Sequence, residues 1–239
     1  MIRLPQLSPM KVVTPLFSAL ALTVLAASTA SATSLTVPST GGAGFTGPFA
    51  EATVNLLDST HAQFTFTSDT NGGFLYLLGD GGSVAANINA TSFSLFGPIT
   101  GTHEFPPIGS DADYSQSSGT ADGFGHFNFA VNTFDGFTHS STQVQFTIQN
   151  NSGTWASAAN VLAPNNNNLT LAAHIFACAT PCTQSAGAAA TFFASTGTPS
   201  TNGPTDSFTP DVPEPASLLL LGTGLFAAAA RRRRGNKKS

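Results

Sequence analysis

Apolar and polar residues alternate with a period of two in three parts of the chain. In residues 143–149, three apolar side chains alternate with glutamine and threonine, and the same period recurs in residues 127–132 and 64–67. Successive side chains of a β-strand point to opposite faces. The pattern therefore predicts strands with one buried face and one face in solvent.

Five further segments have the length and apolar content of short strands: residues 52–57, 74–78, 92–96, 169–177 and 189–194. Asp-Gly pairs, which favour tight turns, begin at Asp80, Asp122 and Asp135. No amphipathic helix is predicted between the two ends of the chain. We therefore predict an all-β fold, an antiparallel β-sandwich of jelly-roll or immunoglobulin-like form.

The first 32 residues have the composition of a secretory signal peptide. Arg3 and Lys11 precede an apolar run at residues 16–27, and the small residues Ala30-Ser31-Ala32 follow it. This order of charge, apolar run and small residues is typical of a cleaved export signal. We expect export and a mature chain that begins at Thr33.

The C-terminal end is a second apolar segment, bounded by positive charge. Residues 216–230 carry no charged side chain, and four arginines follow directly: Arg231, Arg232, Arg233 and Arg234. A helix of this length spans about 22 Å, short of the ~30 Å hydrocarbon core, but it can cross if the arginines snorkel and the bilayer thins. We predict a single transmembrane helix whose arginines stay on the cytoplasmic side.

The tail resembles a known sorting signal. The motif Val212, Pro213, Glu214 and Pro215, the apolar helix and the arginine cluster are similar, in that order, to the PEP-CTERM signal of Gram-negative bacteria. The resemblance implies that an exosortase recognises the motif and cuts near it after the helix has anchored the protein in the inner membrane. It also implies a destination at the cell surface or in the extracellular matrix, with exopolysaccharide as a partner.

These features divide the chain into four parts. Residues 1–32 are the predicted signal peptide, and residues 33–194 the β-sandwich domain. Residues 195–211 are rich in serine, threonine and proline, which is typical of an extended linker. Residues 212–239 form the sorting signal.

The charge distribution excludes several functions. Residues 33–211 contain eleven acidic residues and no lysine or arginine, because all eight basic residues lie at the ends of the chain. Nucleic-acid binding depends on cations that neutralise phosphates, so a nucleic-acid partner is excluded. Schiff-base lysines and the lysine of a phosphate-binding P-loop are excluded for the same reason.

The two cysteines, Cys178 and Cys182, are separated by three residues. Because export places them in an oxidising compartment, a local disulfide is the leading hypothesis. A redox or metal-binding role is the less favoured alternative, because the spacing differs from C-x-x-C and a second pair of ligands is missing.

Two short acidic loops contain oxygen ligands that could bind a metal ion. Asp111 and Asp113, and separately residues 69–72, place oxygen ligands close together, and calcium takes six to eight of these. Neither loop matches the spacing of an EF-hand, so a solvated acidic loop is the preferred interpretation. We predict no other cofactor.

The sequence favours a non-enzymatic protein. The five histidines are scattered, and neither G-x-S-x-G nor H-E-x-x-H occurs. Glu51 and Glu104 would act as a glycosidase pair only at a carboxyl separation of about 5 to 10 Å. The leading hypothesis is an exported matrix protein associated with exopolysaccharide. A calcium-dependent carbohydrate-binding module is second, and a secreted hydrolase third.

We expect sodium chloride to raise the melting temperature, because it shortens the Debye length from ~30 Å at 0.01 M to ~8 Å at 0.15 M and weakens repulsion among the eleven carboxylates. Calcium chloride of matched ionic strength should have the same effect on a plain acidic surface. A specific calcium site would instead add ~4 kcal/mol at a thousand times its dissociation constant, and Asp113→Asn would abolish that excess. An unchanged melting temperature in both salts would contradict the expected repulsion.

Overall fold

A computed structural model describes residues 30–105, 114–133 and 136–200, together with the backbone of residues 207–210. The predicted signal peptide up to residue 29, the sorting motif, the transmembrane segment and the arginine cluster lie outside these residues. So do Asp111 and Asp113.

The described chain is all-β, as predicted. Its fifteen strands are β1 (Ala30–Leu35), β2 (Val37–Pro38), β3 (Ala50–Leu56), β4 (His61–Ser68), β5 (Thr70–Asn71), β6 (Phe74–Leu78), β7 (Val84–Ala86), β8 (Phe93–Leu95), β9 (Thr100–His103), β10 (Tyr114–Ala121), β11 (Gly125–Thr133), β12 (Ser141–Asn150), β13 (Leu171–Ala179), β14 (Ala190–Ser195) and β15 (Ser207–Pro210). Four short 3-10 helices connect them: Thr40–Gly42, Gly136–His139, Ala158–Asn160 and Gln184–Ala186. Within the described ranges, no helix has the length and apolar character needed to cross a membrane.

The strands are paired antiparallel and form two groups. In the first group, β1, β3, β4 and β12 follow one another, and β8 and β9 pair with the other edge of β12. In the second group, β13 pairs with β14 on one edge and with β6 and β7 on the other, and β7 continues through β11 and β10 to β15. The pair Ser141 and Leu78 connects the two groups between β12 and β6.

The main apolar core lies between the two groups. The ring of Phe146 in β12 lies 4.9 Å from Phe64 in β4 and 4.7 Å from Phe129 in β11. Strands β11 and β12 are not hydrogen-bonded neighbours, so the second contact joins facing side chains of different groups. The alternation predicted for β4 and β12 is confirmed, since their apolar members are buried and the residues between them are more exposed.

The second group is buried on its other face as well. Phe127 and Phe193 pack there with Phe124 and Leu169, and at the far end Leu77 packs with Phe176. The first group has no comparable second cluster among the described residues. One sheet face of the molecule is therefore left in solvent, on the first group.

The predicted disulfide is present. Cys178 and Cys182 are bonded, with 5.4 Å between their Cα atoms. Cys178 is fully buried beside Leu77 and Phe176, and Cys182 packs against the same cluster. Closing so short a ring contributes about 2 kcal/mol on the chain-entropy model.

Both ends of the predicted domain differ from the sequence-based boundaries. Strand β1 begins at Ala30, three residues before the expected mature start. In the predicted linker, residues 195–211, the described parts contact the domain. Ser195 ends β14, the Ser200 amide donates to the Gly123 carbonyl at 2.6 Å, and β15 pairs with β10.

We expect Phe146→Ala to lower the free energy of unfolding by about 3–5 kcal/mol, because it leaves a cavity between three aromatic rings of the core. Thr147→Ala changes the next residue, which faces solvent, and should stay within about 0.5 kcal/mol of the native protein. Urea unfolding of both variants measures the difference. Equal losses would contradict the assignment of Phe146 to the core and Thr147 to the surface.

Candidate functional site

The solvent-facing side of the first group is an array of polar side chains, which we call the polar face. Its positions form four rows across neighbouring strands: Leu57, His61, Gln149 and Ser94; Asn55, Gln63, Thr147 and Phe96; Thr53, Thr65, Gln145 and Thr100; Glu51, Thr67, Gln143 and Thr102. Leu57 and Phe96 lie just outside the strands and join their rows through the backbone bonds to His61 and Thr147.

The strand period creates this array. Along β3, β4 and β12 the members alternate with residues that point into the core, such as Phe64 between Gln63 and Thr65. The antiparallel register then places members of adjacent strands side by side. Neighbours lie about 4.8 Å apart across the strands and about 6.8 Å apart along them.

The polar face consists of neutral hydrogen-bonding groups. Four of the seven glutamines in the chain lie on it, and threonine occupies six of its twelve remaining positions. Glu51, in the outermost row, is its one carboxylate. Amides and hydroxyls both donate and accept hydrogen bonds, and Gln145 already donates to the Thr65 hydroxyl at 3.0 Å. The array is suited to a partner with many donors and acceptors and no charge.

One end of the polar face is apolar, and we call Leu57, His61 and Phe96 its apolar end. The rings of His61 and Phe96 lie 4.6 Å apart. Phe96 is 55% exposed and Leu57 51%, and these are the large hydrophobic side chains that the described residues leave in solvent. Because these two large apolar side chains are exposed instead of packing in the core, the apolar end is a candidate contact surface.

Asp58 holds the histidine of the apolar end in place. Its carboxylate accepts from the Thr60 and His61 amides at 2.7 and 2.8 Å and lies 2.9 Å from Nδ1 of His61. These bonds, with the Thr60 amide foremost, lower the pKa of Asp58 to about 2. The carboxylate therefore stays ionised, and its contact with Nδ1 orients the His61 ring, whose plane lies at 64° to that of Phe96.

A cleft of about 430 Å³ lies beyond the end of β12, lined by Asn89, Asn150, Ser152, Trp155 and Asn160 among others. Its polar groups bind one another: Nε1 of Trp155 donates to the Asn89 carbonyl at 2.8 Å, and the Asn89 amide donates to the Asn160 carbonyl at 2.9 Å. Trp155 is 3% exposed and presents no ring to a ligand. The cleft is a weaker candidate than the polar face.

The aromatic platform of the polar face was missed at the sequence level. Trp155, Tyr76 and Tyr114 are all buried and offer no stacking surface. Phe96 is exposed because β8 turns Leu95 towards the core and so leaves the next side chain outside. The sequence pattern that could have indicated this exposed ring is the pair of adjacent apolar residues Leu95 and Phe96 at the end of a short strand.

The calcium prediction is untested, since Asp111 and Asp113 lie outside the described residues. In the second acidic loop, the Asn71 amide donates to the carbonyls of Thr46 and Gly47 at 2.9 and 2.7 Å, which ties two segments together. Over the ranges that the structure describes, histidine, cysteine and carboxylate side chains form no group of three able to hold a metal ion.

The predicted carboxylate pair is not brought together. Strands β4 and β12 lie between β3, which carries Glu51, and β9, which ends one residue before Glu104. At about 4.8 Å per strand, roughly 14 Å separates the two backbones. The retaining and inverting mechanisms need carboxyl groups about 5 and 10 Å apart, respectively.

One serine does contact a histidine. The Ser141 hydroxyl lies 2.7 Å from the Tyr114 hydroxyl and 3.3 Å from Nδ1 of His103. Ser141 is fully buried, so its hydroxyl is not accessible to a substrate. This trio stabilises the interior next to the junction of the two strand groups.

His174 projects from β13 between two aromatic rings. It stacks on Phe193 at 4.5 Å, and its Nε2 lies 2.8 Å from the Thr191 hydroxyl. Burial lowers the pKa of His174 because the charged ring would lose water. The Asp80 carboxylate and the backbone of Gly79 and Gly81 oppose that shift.

Comparison with known families identifies the tail. Residues 211–234 match the PEP-CTERM protein-sorting motif. The tail of the chain therefore carries this sorting motif, which indicates export and processing by an exosortase. Comparisons with curated proteins and with solved structures give no match.

We expect acid to destabilise the protein partly through His174. Its pKa in the folded state lies below the unfolded value of about 6.5. As pH falls below that value, the unfolded chain binds a proton that the folded chain excludes, so stability is lost from about pH 6.5 down to the folded pKa. His174→Gln should reduce this loss, measured as the melting temperature at several pH values.

The matched control is His126→Gln, which changes an exposed histidine. Comparing the two variants removes the background from the carboxylates. A pH dependence equal in both would show that His174 does not contribute.

Proposed function

We propose that this protein is an exported, exosortase-processed component of the cell surface or extracellular matrix, that it is not an enzyme, and that it associates with exopolysaccharide. The sorting motif at residues 211–234 is the observation that carries the proposal. It supports a route through the inner membrane, where an exosortase meets the tail. The sequence predicts the other parts of this route, a signal peptide at residues 1–32 and a membrane-spanning helix at residues 216–230.

We propose a β-sandwich for the exported body. The support is the arrangement of two strand groups on either side of one aromatic core, with Phe146 of one group against Phe129 of the other. A sandwich exposes broad sheet faces rather than a deep pocket. Such a shape suits contact with a polymer better than enclosure of a small substrate.

The surface chemistry supports a matrix role. A body with eleven carboxylates and no lysine or arginine has no site for binding nucleic acid, and its like charge keeps single copies apart in solution. Its polar face offers neutral hydrogen-bonding groups instead. These groups match the hydroxyls of a polysaccharide.

Intact-mass analysis of surface protein tests the route. We expect a mature chain that begins near Thr33 and lacks the segment from Ala216 onward, because both ends match removable signals. A strain without exosortase, or the variant Glu214→Ala, should accumulate the chain with its tail in the inner membrane. Surface protein that retains residues 231–239 would overturn the exosortase assignment.

A further inference from the structure

We propose that the polar face and its apolar end together form a binding platform for a neutral polysaccharide chain, with Phe96 stacking on a sugar ring. This inference rests on the proposed association with exopolysaccharide and names the site and the class of polymer. It follows from the side chains that the strand register brings together.

The polar face excludes a polyanion. Its one basic side chain, His61, already contacts the Asp58 carboxylate, and the body behind it carries eleven carboxylates against no lysine or arginine. An acidic polymer would meet repulsion without any compensating ion pair. A neutral polymer meets none.

The donor and acceptor pattern favours hydroxyl groups. Gln63, Gln145 and Gln149 present amides that donate and accept at once, and the threonines between them present hydroxyls. A sugar hydroxyl has the same double character. A chain laid across the strands can therefore form hydrogen bonds at successive positions without leaving a donor or acceptor unpaired.

The apolar end provides the nonpolar contact that complements these hydrogen bonds in sugar binding. One side of a pyranose ring carries mainly C–H groups, and these pack on an aromatic face. Phe96 is 55% exposed beside His61, and the Asp58 carboxylate fixes the His61 ring 4.6 Å from it. Because contact with the fixed His61 ring restricts the Phe96 ring before binding, less side-chain entropy is lost when a ligand binds.

The extent of the polar face suits a polymer. Four strands and four rows cover about 14 Å by 20 Å, which accommodates several consecutive sugar units. A second copy of this chain is a poorer occupant, because each copy brings its own uncompensated carboxylates to the contact.

Affinity electrophoresis of the purified exported protein tests the platform. The probes are hydroxyethylcellulose and the exopolysaccharide of the producing organism, separated by anion exchange into neutral and acidic fractions. We expect retardation by the neutral fraction, with the same strength at about 0.01 and 0.15 M NaCl, because screening does not affect an uncharged ligand. Retardation by the acidic fraction alone, or by none of the probes, overturns the inference.

Variants locate the contact. Phe96→Ala should weaken retardation about two- to tenfold, and Phe96→Tyr should restore it, since stacking needs the ring. Gln145→Ala should weaken it by a similar factor through lost hydrogen bonds. Gln184→Ala, an exposed glutamine away from the polar face, is the matched control and should leave retardation unchanged.

Two further measurements keep the outcomes distinct. Melting temperatures within about 4 °C of the native protein, the size of a 1 kcal/mol change, show that the variants remain folded. Self-association that sedimentation detects and Phe96→Ala abolishes would assign the surface to a second copy and overturn the inference. If intact mass shows correct processing while no probe retards the protein, the proposal of export and exosortase processing is retained and the binding platform alone is rejected.

Discussion

Strand β12 is hydrogen-bonded along both edges, and its side chains alternate between two environments. Val144, Phe146 and Ile148 enter the core, while the glutamines and threonines between them form the middle column of the polar face. The two surfaces cannot vary independently, because a register slip of one residue would exchange them. The core contact between Phe146 and Phe129 therefore also fixes which groups meet solvent.

Neutral amides take the place that ion pairs hold in more charged domains. Asn128 bonds the backbone of Ile88 in both directions, at 2.7 and 2.9 Å, and Asn132 accepts from the Gly82 amide and the Ser117 hydroxyl. Within the described ranges, one side-chain contact lies at ion-pair distance, that of Asp58 with His61, and it is an ion pair only when the imidazole is protonated. The stability of these contacts consequently depends little on salt, in contrast to the long-range repulsion among the carboxylates.

The period of two predicted the faces of β4 and β12 correctly but not those of β11, because residues 127–132 were expected to have one face in solvent and are buried on both faces. β4 and β12 have one buried face, so a period of two marks them. β13 is buried on both faces, and its alanine-rich run has no period from which a face could be assigned. β15 was missed because serine, threonine and proline are typical of a linker, and pairing with β10 depends on contacts far along the chain.

The candidate site could likewise be predicted only in part, because it depends on contacts between distant segments of the chain. The sequence supplied the polar residues of each strand, but the rows exist only through the pairing of β3, β4, β12, β8 and β9. Phe96 lies beside His61 because of that pairing and not because of any local motif. The tail was predictable because its signal is a short linear motif that needs no fold to be recognised.

Strand β15 ends at Pro210, one residue before the matched motif begins. Its four residues pair with β10, from Thr120 opposite Ser207 to Ser117 opposite Pro210. Any pull on the chain beyond Pro210 reaches the domain first through these backbone hydrogen bonds. This four-residue sheet edge is thus the first part of the fold to bear a load applied at the carboxyl end.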